Sequence, residues 1–164
     1  MKKDSMKKDK LLFVCLGNIC RSPLAEGIML HYINKYKLPI EVDSAAIAPY
    51  HIGEHPDPRT IKNALKHGID IRPLVARQFQ ISDFNRFDKI YVMDNSHYYH
   101  LEKLVPTKDD FKKVDYLMNL VFPNENREVP DPYYGTEKDF EEVFQMINTA
   151  CQKLVNQYAE NIFV

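Results

Sequence analysis

The stretch that most constrains this chain runs Leu11-Leu12-Phe13-Val14-Cys15-Leu16-Gly17-Asn18-Ile19-Cys20-Arg21-Ser22-Pro23. Its apolar start has no alternation and stops at a loop, which predicts a strand buried on both faces over residues 11–14. Ser22 and Pro23 then open a helix, serine suiting the N-cap and proline the first turn, with Glu26 close behind to complement the dipole. A strand, a short loop and a helix N-terminus make an anion cradle, because loop N–H groups converge on one point and the helix dipole adds positive potential there. Cys15 faces the same guest from the start of the loop, and Arg21 closes it.

The rest of the chain continues the alternation. Leu24, Ile28, Met29, Tyr32, Ile33 and Tyr36 carry a helical apolar face to about residue 37. Strands are expected over residues 40–46 and 88–94 and near 114–118. Helices are expected over residues 59–67, closed by Gly68, over 97–104 behind an Asn95-Ser96 cap, and over 138–158, where Phe140, Val143, Phe144, Ile147, Cys151 and Leu154 repeat at helical spacing. Residues 48–58 and 121–134 are rich in proline and read as loops. Together these predict an α/β chain: a single domain with a four-stranded parallel sheet, helices on both faces and the anion-binding loop after the first strand. Ligands of such sheets lie beyond the carboxyl ends of the strands, where Cys15, the loop after Ala46 and Asp94 all fall.

Composition narrows the function classes. The chain has 164 residues, and its 22 Lys plus Arg against 23 Asp plus Glu give a net charge of -1, so no global field recruits nucleic acid or an acidic membrane. Any affinity for an anion must be local. The three cysteines, Cys15, Cys20 and Cys151, lack the spacing of a disulfide framework, and no apolar run has the length of a membrane span. A cytoplasmic protein is expected. Met1-Lys2-Lys3-Asp4 recurs as Met6-Lys7-Lys8-Asp9, so residues 1–10 read as a flexible Lys-rich tail before a domain over residues 11–164. Among the six histidines, His51 and His55 lie between prolines, and His97 and His100 have no carboxylate or cysteine set to complete a site, so no metal and no cofactor is expected.

Cys15-x5-Arg21 has the spacing that thiolate attack on a phosphate ester requires. A thiolate is the reactive form of cysteine. A guanidinium can grip two equatorial phosphate oxygens at once and hold their charge in the transition state, in a bidentate geometry that lysine cannot reproduce. Ser22, next in line, could donate its hydroxyl to the sulfur as it leaves.

These residues carry a resemblance. The segment from Val14 to Glu26 resembles the signature of the low-molecular-weight protein tyrosine phosphatases, and Asp131-Pro132-Tyr133-Tyr134-Gly135 resembles the same family's general-acid segment. Val42-Asp43-Ser44-Ala45-Ala46, Pro56-Asp57-Pro58-Arg59, His67-Gly68-Ile69, Ala76-Arg77-Gln78 and Met93-Asp94 are further matches. The resemblance implies Cys15 as the nucleophile that becomes a phosphocysteine, Arg21 as the phosphate clamp, and Asp131 as general acid and then base. It implies a phosphate-binding loop of Leu16, Gly17, Asn18, Ile19, Cys20 and Ser22, with Ser44 and Asp94 in support. Tyr50, Tyr133 and Tyr134 would wall the entrance, and Cys20 would trap oxidised Cys15 as a disulfide. Phosphotyrosine proteins are the implied substrates, with inorganic phosphate and vanadate as ligands.

Two departures stand out. The histidine that some relatives place shortly before Ala76-Arg77-Gln78 is missing, since Arg72-Pro73-Leu74-Val75 fills that region, and Tyr50 stands where some relatives have an entrance tryptophan. Two other functions share the loop. A thiol-dependent arsenate reductase needs further cysteines to relay a disulfide, and none lies between Cys20 and Cys151. A phosphocysteine carrier or phosphate sensor has no need of the distant Asp131.

Overall fold

The computed structural model describes residues 7–160 together with Ile162 and Phe163. In chain order the elements are β1 (Asp9–Cys15), α1 (Arg21–Tyr36), β2 (Ile40–Ala46), α2 (Pro58–Lys66), α3 (Asp83–Arg86), β3 (Lys89–Val92), α4 (Asn95–Leu104), α5 (Lys108–Phe111), β4 (Val114–Tyr116) and α6 (Glu137–Asn156), with a 3-10 turn at Leu117–Leu120 between β4 and α6. The four strands form one parallel sheet in the order β2-β1-β3-β4. No helix among the described residues is long and apolar enough to cross a membrane.

The unbroken apolar run of β1 follows from burial on both sides. Leu11, Phe13 and Cys15 face one layer, where α1 and α6 supply Ile28, Met29, Ile147 and Cys151. Leu12 and Val14 face the other, against Phe84, Phe87 and Leu101. Period-two geometry sends successive side chains to opposite faces, so a strand covered on both has no polar position to spare.

The chain first moves from β1 to β2 on one side and later returns to β3 on the other, so the loops after β1 and β3 diverge. That divergence opens a crevice at the carboxyl ends of the strands. Cys15 is in register with Ala46 of β2, and Val14 with Val92 of β3.

Local differences from the sequence reading have physical reasons. Asp9 and Lys10, assigned to the tail from sequence, pair with Ile40 and Glu41 and so belong to β1; residues 1–6 of that tail lie outside the described residues. Ser22 is not an N-cap: α1 starts at Arg21 behind Cys20, with no side-chain cap, because the Ser22 hydroxyl is engaged by Cys15 and Asn18. Glu26 does not serve the helix dipole; it is buried and bonded to Ser44. The cap of α4 is Asp94, whose carboxylate accepts from the N–H groups of Ser96 and His97, so the helix begins at Asn95. Gly68, with φ of 77°, follows α2 as expected.

Candidate active site

The loop between β1 and α1 is held in shape by one side chain, that of Asn18. Asn18 takes φ of 58°, a left-handed conformation that asparagine tolerates better than most residues. Its amide donates to Ser22 Oγ at 2.7 Å and to Ser44 Oγ at 2.8 Å, and its Oδ1 accepts from the Arg77 N–H at 3.1 Å. Because Ser22 Oγ already accepts from Asn18, its own proton points at Cys15 Sγ, 3.0 Å away, and the Ser22 N–H approaches the same sulfur at 3.4 Å. Two donors thus face one sulfur. At Cys20, burial, with the charges of Asp57, Cys15 and Asp131 adding to it, pushes the thiol up to about 12.

The missing histidine is replaced from two directions. Arg77 lies beside the end of β2, where the chain adds a parallel bridge between Ala46 and Gln78, and this brings its N–H to Asn18. Ser44 closes the other branch by donating to Glu26 Oε1 at 2.5 Å. Burial, aided by the charge of Asp43 and opposed by Ser44 and Arg77, pushes the Glu26 carboxyl up to about 7. Neither partner is near Asn18 in sequence, and Glu26 was read only as a dipole complement.

That shift has a stability consequence. A carboxyl whose folded pKa lies above its unfolded value binds more protons in the folded state, so its stability contribution is present below pH 4.5 and lost as pH rises through 7. Glu26→Gln keeps an acceptor for Ser44 without the charge. Its stability relative to wild type is expected to rise between pH 4.5 and 7, by up to about 3 kcal/mol, read from denaturant unfolding at several pH values. Parallel curves for the two proteins would remove Glu26 as the cause.

Arg21 is 2% exposed and its guanidinium is anchored from behind. Nη1 donates to Asp94 Oδ2 at 2.9 Å and to the Val129 carbonyl at 3.0 Å. Burial works to raise the pKa of Asp94, but hydrogen bonds from Ser96 and Arg21 and the neighbouring positive charge hold it below the usual carboxylate range. Val129 reaches this spot because its N–H donates to the Met93 carbonyl at the end of β3. The same anchor delivers Asp131 two residues later, with Oδ2 3.6 Å from Arg21 Nη2 and Oδ1 accepting from the Tyr133 N–H.

A cavity of about 250 Å³ lies over the loop. Cys15, Gly17 and Arg21 line its floor, Asp131 one side, and Tyr50, His51, Tyr133 and Tyr134 its rim. The 48–58 loop is tied down where Asp57 N–H donates to the Ile19 carbonyl, and the Arg59 guanidinium, paired with Asp57 at 2.8 Å, stacks over the rings of Tyr133 and Phe140. Arg59 thus braces the wall at Tyr133. Tyr134 is 95% exposed and free to meet a partner.

Most of the expected residues converge on this cavity. Asn18 and Ser22 do not line it; both face the scaffold behind the loop, as do Ser44 and Asp94. His51 was missed: its ring covers Gly17, where an added Cβ would stand 3.0 Å from His51 Cδ2, and its Nδ1 faces Glu54. Its place beside Tyr50 was the available signal. His97, considered in sequence only as half of a metal pair, is 1% exposed and stands behind Arg21.

A family model described as low molecular weight phosphotyrosine protein phosphatase matches residues 10–162. Low molecular weight phosphotyrosine protein phosphatase 1 of Drosophila melanogaster is 39% identical over 151 residues, covering 90% of this chain and 96% of its own length. A crystal structure of a protein tyrosine phosphatase from Entamoeba histolytica, with Hepes in its active site, matches with a TM-score of 0.84 at 39% identity, over 92% of this chain and 96% of that one. Vibrio vulnificus Wzb in complex with benzylphosphonate matches with a TM-score of 0.81 at 27% identity, over 92% and 99%.

Proposed function

Given that this chain belongs to the low molecular weight phosphotyrosine protein phosphatases and is a cysteine-dependent phosphatase, we propose that its chemistry runs through a phosphocysteine on Cys15, with Asp131 as the proton carrier. The observation that carries this reading is one cavity bounded by the Cys15 sulfur, the Arg21 fork and the Asp131 carboxyl.

In the first step Cys15 Sγ attacks phosphorus as the P–O bond to the phenol breaks, and the leaving phenolate takes its proton from Asp131. Arg21 and the loop N–H groups hold the charge on the equatorial oxygens. In the second step Asp131 takes a proton from water, the new O–P bond forms and the S–P bond breaks. The Ser22 hydroxyl, aimed at the sulfur, stabilises the returning thiolate. Tyr50, Tyr133 and Tyr134 offer flat faces to an aryl phosphate, so phosphotyrosine in proteins is the substrate class, with inorganic phosphate and vanadate as competing ligands. A disulfide relay of the arsenate-reductase kind finds no support, because Cys151 is buried in the core.

Leaving-group dependence tests the acid. Asp131→Asn is expected to lower kcat/KM, which reports the phenol-releasing step, by about 10²–10⁴-fold on phenyl phosphate, and by less on p-nitrophenyl phosphate, whose phenolate departs without help. Equal rates for variant and wild type on phenyl phosphate would instead favour a phosphate-binding or phosphocysteine carrier role.

A further inference from the structure

Arg21 has five N–H donors, and their allotment leaves one over. Both Nη1 protons are spent on Asp94 Oδ2 and the Val129 carbonyl. A bidentate grip on phosphate uses the Nε proton and one Nη2 proton. The remaining Nη2 proton faces away from the cavity, toward His97 Nε2 at 3.5 Å.

The surroundings of His97 determine which form of the ring can stand there. A guanidinium only donates, so Nε2 must present its lone pair. Asp94 Oδ1, also 3.5 Å from Nε2, makes no call on a ring proton, since it already accepts from the Ser96 N–H, the Ser96 hydroxyl and the His97 N–H. The ring proton therefore sits on Nδ1, which is buried with no partner among the described residues. An unpaired buried N–H is a cost that apolar side chains of similar size would avoid, and it calls for a compensating use. Burial, then the charge of Arg21 and a smaller push from His100, drive the ring down to about 4 against the pull of Asp94 and Asp131, so His97 is neutral at pH 7.

We propose that His97 is a positioning residue for phosphate binding: as a neutral acceptor buried behind Arg21, it takes the guanidinium proton that Asp94, Val129 and the phosphate leave over, and so keeps the Nε/Nη2 edge turned to the loop. This rests on Arg21 being the phosphate clamp. His97 acts through Arg21 and does not touch the substrate. Protonation of the ring would set an N–H against an N–H and turn the fork.

The experiment compares wild type, His97→Leu and His97→Gln for inhibition by inorganic phosphate, for kcat and KM on p-nitrophenyl phosphate at pH 5 and 6.5, and for Tm. His97→Leu is expected to bind phosphate about 5–10-fold more weakly and to lose as much in kcat/KM at pH 6.5, the scale of one ordinary hydrogen bond, while its Tm stays at or above that of wild type because the orphan N–H is gone. His97→Gln, whose amide oxygen can reach the place of Nε2, regains most of the loss. Because the ring is neutral at both pH values, the loss in His97→Leu is the same at pH 5 as at pH 6.5. Phosphate affinity and kcat/KM within twofold of wild type in His97→Leu would overturn the proposal. So would losses in that variant that track a lowered Tm and are not restored by glutamine, since they mark a role in packing alone. Arg21→Ala, run alongside, separates the premise: unchanged phosphate affinity there removes the clamp itself, whatever His97 does.

Discussion

Cys15→Ser is expected to abolish turnover of p-nitrophenyl phosphate, by on the order of 10⁵–10⁶-fold in kcat, while the protein keeps its fold and still binds inorganic phosphate. An alcohol in place of the thiol is not ionised at neutral pH, and the Ser22 hydroxyl and N–H that face the sulfur are too few to ionise it. The contacts proposed for phosphate, by contrast, come from Arg21 and loop N–H groups that the substitution leaves in place. Cys15 is buried at the end of β1, and serine is close to it in volume, so Tm should change little. Rapid quench with wild type, trapping phosphate on Cys15, complements the rate measurement. Substantial turnover by Cys15→Ser would falsify the thiolate mechanism outright.

Arg21→Lys is expected to lower kcat/KM by about 10³–10⁴-fold, although the charge is conserved. Lysine offers a point charge in place of a fork, and it cannot reach Asp94, Val129 and a phosphate together. The substitution also leaves the Val129 carbonyl and one oxygen of Asp94 without their donor in a site where Arg21 is 2% exposed, so stability falls by about 1–3 kcal/mol. Both numbers are read together: steady-state kinetics for the chemistry and urea unfolding for the scaffold. A variant with near wild-type kcat/KM would mean that the loop N–H groups alone hold the phosphate.

The fold was largely legible because its signals are local. An apolar strand without alternation, a glycine after α2 and proline-rich loops are each read within a window of about ten residues. The short α5 and the 3-10 turn at Leu117–Leu120 were missed because neither is long enough to show a period. Two helix starts moved because a side chain took a different partner: the Ser22 hydroxyl is engaged by Cys15 and Asn18 within the loop, and the Asp94 carboxylate caps α4 while also holding Arg21.

By itself, the sequence determined the reactive half of the site. Cys15, the loop and Arg21 are consecutive on a strand, a turn and a helix start, so backbone geometry alone carries thiol and guanidinium to one anion. What only the tertiary structure decided is everything that holds those groups still. The partners of Arg21 are 73 residues away at Asp94, 76 at His97 and 108 at Val129, and they meet it only because β1 lies beside β3 and Val129 is tied to the end of that strand. Asn18 likewise finds its last acceptor-side partner at Arg77, and Ser44 finds Glu26, through the pairing of β2 with β1 and the bridge that follows it. Hydrogen bonds across such separations are set by strand order and loop anchorage, and no local propensity encodes which distant donor will face which acceptor.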